Sequence, residues 1–285
     1  MTNKNSKRRK AIIRRRFFIA GCLLCLAAVI LAVAGIVSLF KTNDKTEKKD
    51  NTSSVTADKK QEKEKDYSYS ETPENVTLGE YTLDANYTRL LLVNGEHPLP
   101  EDYDYTGNLM TLDKKYYIGG NNQVDKGMFP YLKAMLEAAW KDNVKLYVWS
   151  PFRSYADQKM VFEREFNKFK KSGMSDADAE TEVLKSITKP GTSEHHTGLC
   201  CDFNAADHSF TGSAMSEWML EHAEEYGFIL RYPAEKKDIT KIEYESWHWR
   251  FVGINRAKEI NQNGFCLEEF YNAAKVDNAK EITKK

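Results

Sequence analysis

The first pattern along the chain is an uncharged, apolar stretch from Phe17 to Phe40, rich in Leu, Ile, Val and Ala. At about 1.5 Å per residue, a helix of this length crosses a hydrocarbon core of about 30 Å. Residues 1–16 carry eight Lys and Arg and no acid. Because positive charge on one flank keeps that flank in the cytoplasm, the pattern predicts a basic cytoplasmic tail at 1–16 and a single membrane-spanning helix at 17–40. The body that follows should lie outside the cell membrane.

Two cleaved forms of this segment stay open beside the membrane helix: a secretory signal peptide, and a lipoprotein signal at Ile19-Ala-Gly-Cys22. The uncharged stretch is longer than the apolar region of a signal peptide, which runs to about 7–15 residues. Cys22 also follows closely after the last arginine of the basic flank, Arg16. Both observations favour the anchored form.

Polar and charged residues then dominate from 41 to 75, and more than half of the positions at 41–66 are charged. Such a segment has too little apolar surface to offset the entropy of ordering the chain. The composition predicts a disordered linker at 41–75.

From residue 76 the chain alternates between the two hydrophobic periods that are typical of helices and of strands. A strand or extended segment is predicted at 87–95. Strands are predicted at 145–149, 199–203, 228–232 and 246–251. Helices are predicted within 124–142 and 172–188, and at 155–171, 213–226, 253–263 and 267–274. The pattern therefore predicts one folded domain at 76–275, followed by a frayed polar tail at 276–285.

Charge changes this picture in one respect. The whole chain has 42 basic and 42 acidic side chains, so the part beyond the basic tail at 1–16 has 34 against 42. A body with a net charge of −8 is a poor partner for nucleic acid, because phosphate neutralisation needs clustered positive charge. We expect no nucleic-acid partner, and a monomer.

Candidate metal chemistry lies in two places. His195 and Asp202 stand on either side of Gly198, and Glu245 precedes His248 by three positions. His195, Asp202 and His248 would give a three-ligand zinc site with an open fourth position, and Glu245 could act as its general base. Isolated histidines are more often structural. Glu-x-x-His also occurs in di-iron bundles, but there in pairs on long helices.

Strand geometry adds two expectations. In a strand at 199–203, Cys200 and Asp202 face one side and Cys201 faces the other. In a regular strand at 246–251, Glu245 would face away from His248, so the proposed role of Glu245 requires a turn or bulge there.

Cys200, Cys201 and Cys266 lie in the predicted body, where an odd number of cysteines is awkward in an oxidising compartment. We expect Cys200 to be a small buried residue. A Cys201–Cys266 disulfide and Cys200 as a metal ligand remain as alternatives.

These segments also resemble a known family. The segment Ser193-Glu-His-His-Thr-Gly-Leu-Cys-Cys-Asp202 resembles the Ser-x-His-x-x-Gly-x-Ala-x-Asp motif of VanY-type D-alanyl-D-alanine carboxypeptidases, with Cys200 in place of alanine. The segment Glu245-Ser-Trp-His-Trp-Arg250 is similar to the second motif of that family. Ser150-Pro-Phe-Arg-Ser-Tyr-Ala-Asp-Gln158 is similar to its Ser-Gly-Tyr-Arg-Ser-x-x-x-Gln element. The resemblance covers roughly residues 88–272.

The resemblance implies an α+β fold with a small, mainly antiparallel sheet flanked by helices, as in Hedgehog and DD-peptidase domains. It implies that Arg153 is catalytic and binds substrate, and that Gln158 and Ser193 bind substrate. The implied activity is a membrane-anchored zinc carboxypeptidase that removes the terminal D-alanine from peptidoglycan stem peptides. L,D-carboxypeptidase action on tetrapeptide stems and a non-catalytic metal-containing wall-binding domain are the alternatives.

Overall fold

The computed structural model describes residues 75–100 and 102–284. The predicted basic tail at 1–16, the predicted membrane helix at 17–40 and all but the last residue of the predicted linker at 41–75 lie outside the described residues. Within the described ranges, none of the helices combines the length and the apolar character that a membrane span needs.

Eight short strands form three antiparallel sheets in the described part of the chain. Two of the sheets are two-stranded hairpins, β1 with β2 and β3 with β4, and the third has four strands in the order β5-β6-β8-β7. The strands are β1 (Asn75–Leu78), β2 (Tyr81–Asp84), β3 (Leu109–Thr111), β4 (Gln123–Asp125), β5 (Val148–Ser150), β6 (Cys200–Phe203), β7 (Phe228–Leu230) and β8 (His248–Phe251).

Helices surround these sheets, so the predicted α+β class with small antiparallel sheets is confirmed. Within the described ranges the α-helices are α1 (Phe129–Lys141), α2 (Tyr155–Lys171), α3 (Asp176–Val183), α4 (Ala214–His222), α5 (Lys237–Thr240), α6 (Ile254–Gln262), α7 (Leu267–Ala273) and α8 (Asn278–Thr283).

Helix α2 begins and ends at the residues that the sequence predicted. Ser154 caps it by accepting a hydrogen bond from the backbone N–H of Asp157, and the Asp157 side chain bonds back to Ser154. This reciprocal arrangement satisfies N–H groups that a helix N-terminus leaves free. Helix α3 is shorter than the predicted 172–188 and begins after Ser175, whose side chain accepts a hydrogen bond from the backbone N–H of Asp178.

The central pair of strands, β6 and β8, separates the core from the polar side of the sheet. Their register pairs Cys201 with Trp249 and Asp202 with His248. Cys201, Trp249 and the neighbouring Phe251 are buried in the main hydrophobic core. Because side chains alternate along a strand, Asp202 and His248 point to the opposite face.

Residues 87–93 form an extended segment that pairs with no strand in the described part of the chain. Four of its residues, Leu90–Val93, are nearly inaccessible to solvent. Buried backbone N–H and C=O groups need partners, and here several come from distant side chains. The guanidinium of Arg250 donates to the carbonyl oxygen of Leu91, at 2.8 Å.

The prediction of a frayed tail at 276–285 was wrong. Helix α8 packs against the extended segment, where the Asn278 side chain bonds both the N–H and the C=O of Leu92, each at 3.0 Å. The carboxylate of Glu281 accepts a hydrogen bond from the N–H of Leu90 at 3.1 Å and is itself buried. The tail looks polar in sequence because its polar side chains satisfy buried backbone groups.

We therefore expect Glu281→Ala to lower the free energy of unfolding by about 1–3 kcal/mol, because it leaves the buried N–H of Leu90 without its acceptor. Urea unfolding of the two proteins measures this difference. Lys280→Ala is the matched control, since the Lys280 side chain is 82% exposed, and it should change stability by less than about 0.5 kcal/mol. Equal effects of the two substitutions would contradict the packing of α8.

Candidate metal centre

A single 3₁₀ turn at Glu194–Thr197 carries His195 and leads directly into β6. Gly198 ends the turn with a left-handed φ of 65°. A Cβ atom at this position would lie 2.7 Å from the Leu109 side chain and 3.0 Å from the backbone nitrogen of Asp125. Both the conformation and the close approach therefore require glycine. This turn places His195 over the strand that carries Asp202.

A second turn brings Glu245 and His248 to the same place. The N–H of His248 donates to the carbonyl oxygen of Glu245 at 3.3 Å, and the N–H of Glu245 donates to the carbonyl oxygen of Tyr232 at 3.2 Å. The turn predicted at Glu245 is therefore confirmed. It leaves a Glu245 carboxylate oxygen 3.7 Å from Nδ1 of His248.

The three predicted ligands converge. One oxygen of Asp202 lies 3.5 Å from Nε2 of His195, and the other lies 3.0 Å from Nδ1 of His248. Two ligands of a tetrahedral ion with bonds of about 2.0–2.1 Å are separated by about 3.3 Å. The observed spacings therefore suit a zinc ion held between these groups.

The protonation of His195 and Asp202 also suits a cation. Burial lowers the pKa of His195 to about 3, so its ring is neutral, and its Nδ1 donates to the carbonyl oxygen of Pro151 at 2.7 Å. Nε2 of His195 is thereby left with a free lone pair. Burial alone would raise the pKa of Asp202, but its contacts with His195 and His248 and the charge of Arg153 lower it. Within the described residues, Oδ1 of Asp202 has no hydrogen-bond partner although it is buried.

Glu245 is 6% exposed, and burial is the main cause that raises the pKa of its carboxyl group to about 8. The nearby Asp202 charge also raises it, while His248 and Arg153 lower it. A carboxylate in this environment is a stronger base than one in water.

Arg153 lies at the edge of the site with its guanidinium fixed in place. It donates to Oγ of Ser150 at 2.9 Å and to Oε1 of Gln158 at 2.7 Å, and it lies 4.0 Å from Asp202. Gln158 in turn donates to the carbonyl oxygen of Thr188 at 2.6 Å.

His196 points away from the proposed metal ligands, and its Nδ1 donates to the backbone carbonyl of Arg153 at 2.7 Å. The ring therefore positions the Arg153 backbone.

One cavity of about 690 Å³ contains all of the site residues predicted from the sequence. They are Arg153, Gln158, Ser193, His195, Asp202, Glu245 and His248. Segments far apart in the sequence thus bring the groups predicted to bind metal, to act as base and to bind substrate to one cavity.

Comparison with known proteins agrees with this geometry. A family model for VanY, D-alanyl-D-alanine carboxypeptidase, matches residues 121–254. A D-alanyl-D-alanine carboxypeptidase of Enterococcus faecalis is 35% identical over 207 residues, which cover 72% of this chain and 74% of the relative. The chain belongs to the VanY family of D-alanyl-D-alanine carboxypeptidases. The predicted enzyme class, a hydrolase of this family, is confirmed.

Two solved structures are also similar to the VanY-type domain described here. One is a point variant of the D,D-pentapeptidase VanY from a VanB-type resistance cassette in complex with Zn(II). It has 35% sequence identity and a TM-score of 0.57, over 65% of this chain and 99% of that one. The other is the LD-carboxypeptidase LdcB, with 32% identity and a TM-score of 0.57, over 70% of this chain and 94% of that one. Zinc, the metal predicted from the motifs, is the metal of the VanY complex.

Cys200 is the departure from the VanY motif. It is fully buried, and donor atoms of His195, Cys200 and His248 lie within 4.8 Å of one another. Burial raises the pKa of the Cys200 thiol, so the group keeps its proton unless a bound cation removes it. In the described part of the chain Cys200, Cys201 and Cys266 are all free thiols, so the alternative of a Cys201–Cys266 disulfide is wrong.

A buried ionic network beside the proposed metal ligands was not predicted from the sequence. Glu194 accepts hydrogen bonds from Nε of Arg231 at 2.7 Å and from Nη1 of Arg250 at 2.9 Å. Arg231 also makes two hydrogen bonds to Glu268, at 2.8 and 2.6 Å. Arg250 belongs to the second VanY motif, but Glu194 occupies a position that the motif leaves undefined.

Proposed function

We propose that this protein hydrolyses the bond before the C-terminal D-alanine of peptidoglycan stem peptides. His195, Asp202 and His248 would hold zinc, and Glu245 would be the catalytic base. The convergence of these four buried groups in one cavity is the observation that carries the proposal. A wall-binding domain without turnover would have no use for a buried glutamate of raised pKa beside a metal site.

Bound zinc would polarise the scissile carbonyl and make water a stronger acid. Glu245 would accept the proton of the attacking water at the carboxylate oxygen that faces His248. The same carboxyl group would then protonate the leaving amine of D-alanine, so that the proton is transferred and not lost. Burial favours the first step because it raises the affinity of this carboxylate for a proton.

Arg153 would bind the terminal carboxylate or the carbonyl oxygen of the substrate. Its bonds to Ser150 and Gln158 hold the guanidinium before substrate arrives, so little entropy is lost on binding. Ser193 and Gln158 line the same cavity and would add hydrogen bonds to the carboxylate. A site built in this way discriminates against peptides that lack a free C-terminal carboxylate.

A second candidate activity is L,D-carboxypeptidase action on tetrapeptide stems. It is favoured by the similarity to LdcB, whose TM-score equals that of the VanY structure. The fold therefore does not separate the two specificities, and the substrate has to decide between them.

We expect Glu245→Gln to lower kcat for D-alanine release from a pentapeptide stem by about 10²–10⁴-fold, the usual contribution of a general base. Zinc affinity should stay close to that of the parent protein, because Glu245 is not a ligand in this proposal. Turnover of pentapeptide and tetrapeptide stems, with and without chelator, measures activity and specificity together. Release from the tetrapeptide alone would favour the second candidate, and full activity of Glu245→Gln would contradict the mechanism.

The choice of Asp202 over Cys200 as third ligand is tested by two substitutions. Cys200→Ala restores the alanine of the VanY motif and should leave zinc affinity within about threefold. Asp202→Asn should weaken zinc binding by more than about 100-fold. Substituting a residue that only orients a metal ligand typically weakens binding by about 10–100-fold, so a larger loss indicates a ligand. Chelator competition measures both affinities. The reverse ranking would identify the Cys200 thiolate as the ligand.

We also propose that residues 17–40 anchor the protein in the cell membrane with the catalytic domain outside, tethered by residues 41–75. The apolar length and the basic flank of this segment support the proposal. In fractionated cells the full-length protein should remain with membranes after a high-salt wash, and added protease should remove the domain from cells with intact membranes. Recovery of the protein in the cytosolic fraction, or its protection from protease, would contradict the anchored topology.

A further inference from the structure

The two histidines of the proposed zinc centre present different ring nitrogens to it. His195 presents Nε2, while its Nδ1 donates to the carbonyl oxygen of Pro151. His248 presents Nδ1, which lies 3.0 Å from Asp202 and 3.7 Å from Glu245. Nε2 of His248 therefore points away from the centre, and the chain must provide something that keeps the ring in this orientation.

Nε2 of His248 faces a carboxylate oxygen, Oε2 of Glu194, at 3.5 Å. Both atoms are buried, and neither has a hydrogen-bond partner among the described residues. Two unsatisfied polar atoms in a buried site carry a large desolvation cost, and a shift of a few tenths of an ångström would let them satisfy each other. The two atoms are therefore suited to be a ring N–H donor and its acceptor.

Glu194 is held firmly enough to act as this acceptor. Its other oxygen, Oε1, accepts from both Arg231 and Arg250. The two guanidinium groups thus hold the carboxylate with Oε2 toward His248. Glu268 balances Arg231 from the other side, so two buried carboxylates face two buried guanidinium groups.

We propose that Glu194 is a positioning residue: it accepts the Nε2–H of His248 and thereby fixes the tautomer and ring orientation that present Nδ1 to zinc. This inference rests on the proposed zinc centre. Metal-binding histidines commonly donate their second N–H to a carboxylate or carbonyl, which orients the ring and makes it a better ligand. Here a carbonyl would do this for His195 and a carboxylate for His248.

The substitution Glu194→Gln should reverse the hydrogen bond. Arg231 and Arg250 only donate, so the amide oxygen of the new side chain must face them and its NH₂ group must face His248. Nε2 of His248 then has to accept, and the ring proton moves to Nδ1, where it blocks metal binding. We expect zinc affinity of the full-length protein, from chelator competition, to fall by about 10–100-fold.

A second measurement reads the tautomer directly and does not depend on activity. The chain has six histidines, so histidine-selective ¹⁵N labelling gives few ring signals. Nε2 of His248 should carry a slowly exchanging proton in the parent protein, with and without zinc. In zinc-free Glu194→Gln the proton should instead be on Nδ1. Since the parent spectrum needs no variant, it remains decisive if Glu194→Gln fails to fold.

Glu268→Gln is the matched control. It removes one negative charge from the same buried network, but Glu268 bonds Arg231 and Asn94 and makes no contact with His248 in the described structure. Zinc affinity should stay within about threefold of the parent, with the ring proton still on Nε2. An equal loss of affinity in both variants would show that the network acts only through stability and would overturn the proposal.

The remaining outcomes are also distinguishable. If Glu194→Gln binds zinc as tightly as the parent and keeps the proton on Nε2, Glu194 does not position His248. If the parent protein binds no zinc, the proposed function fails, and the zinc-free spectrum still decides whether the hydrogen bond exists.

Cys200 also lies near His248. Because sulfur is a weak hydrogen-bond acceptor, Cys200→Ala should leave the proton on Nε2 of His248 in place.

Discussion

The register between β6 and β8 is the constraint on which the rest of the site depends. Asp202 lies opposite His248, and Cys201 lies opposite Trp249. A slip of one residue would turn the polar side chains into the aromatic core and the tryptophan onto the site, because side chains alternate from one face of a strand to the other. Trp249 and Phe251 are buried in the main core, where Phe251 packs on Tyr131 of α1. Their burial therefore stabilises the register that brings the two proposed ligands together.

The polar face is made rigid by buried charge instead of apolar packing. Removing charges from water is costly, and here the cost is offset because Glu194 and Glu268 are paired with Arg231 and Arg250 through short hydrogen bonds. Arg250 also bonds the extended segment at Leu91, and that segment is held in turn by α8. The metal centre is thereby connected to both ends of the described domain, and its side chains have little freedom to shift.

Much of this site could be predicted from the sequence because its chemistry is local. His195 and Asp202 are separated by one turn and one glycine, and the need for a turn at Glu245 follows from strand alternation alone. The limits of α2 were predictable because Ser154 and Asp157 form a cap within a single turn. The family motifs then related Arg153, Gln158 and Ser193 to the same cavity.

What the sequence did not predict depends on partners distant in the chain. Glu194 and Arg231 are 37 residues apart, and Leu90 and Glu281 are 191 apart. No periodic pattern marks such pairs, and a buried carboxylate looks like a solvated one in sequence. For the same reason the polar residues of α8 resembled a frayed end. The identity of the third ligand also depends on three-dimensional spacing, since Asp202 and Cys200 lie on the same face of one strand.

The central claim is that one divalent ion is held by His195, Asp202 and His248 with Glu245 beside it and unbound. Anomalous diffraction at the zinc edge from crystals of the zinc-loaded protein tests this most directly. The account predicts one peak within about 2.0–2.2 Å of Nε2 of His195, a carboxylate oxygen of Asp202 and Nδ1 of His248. A peak bonded to the sulfur of Cys200 in place of Asp202, or one coordinated by Glu245, would contradict it.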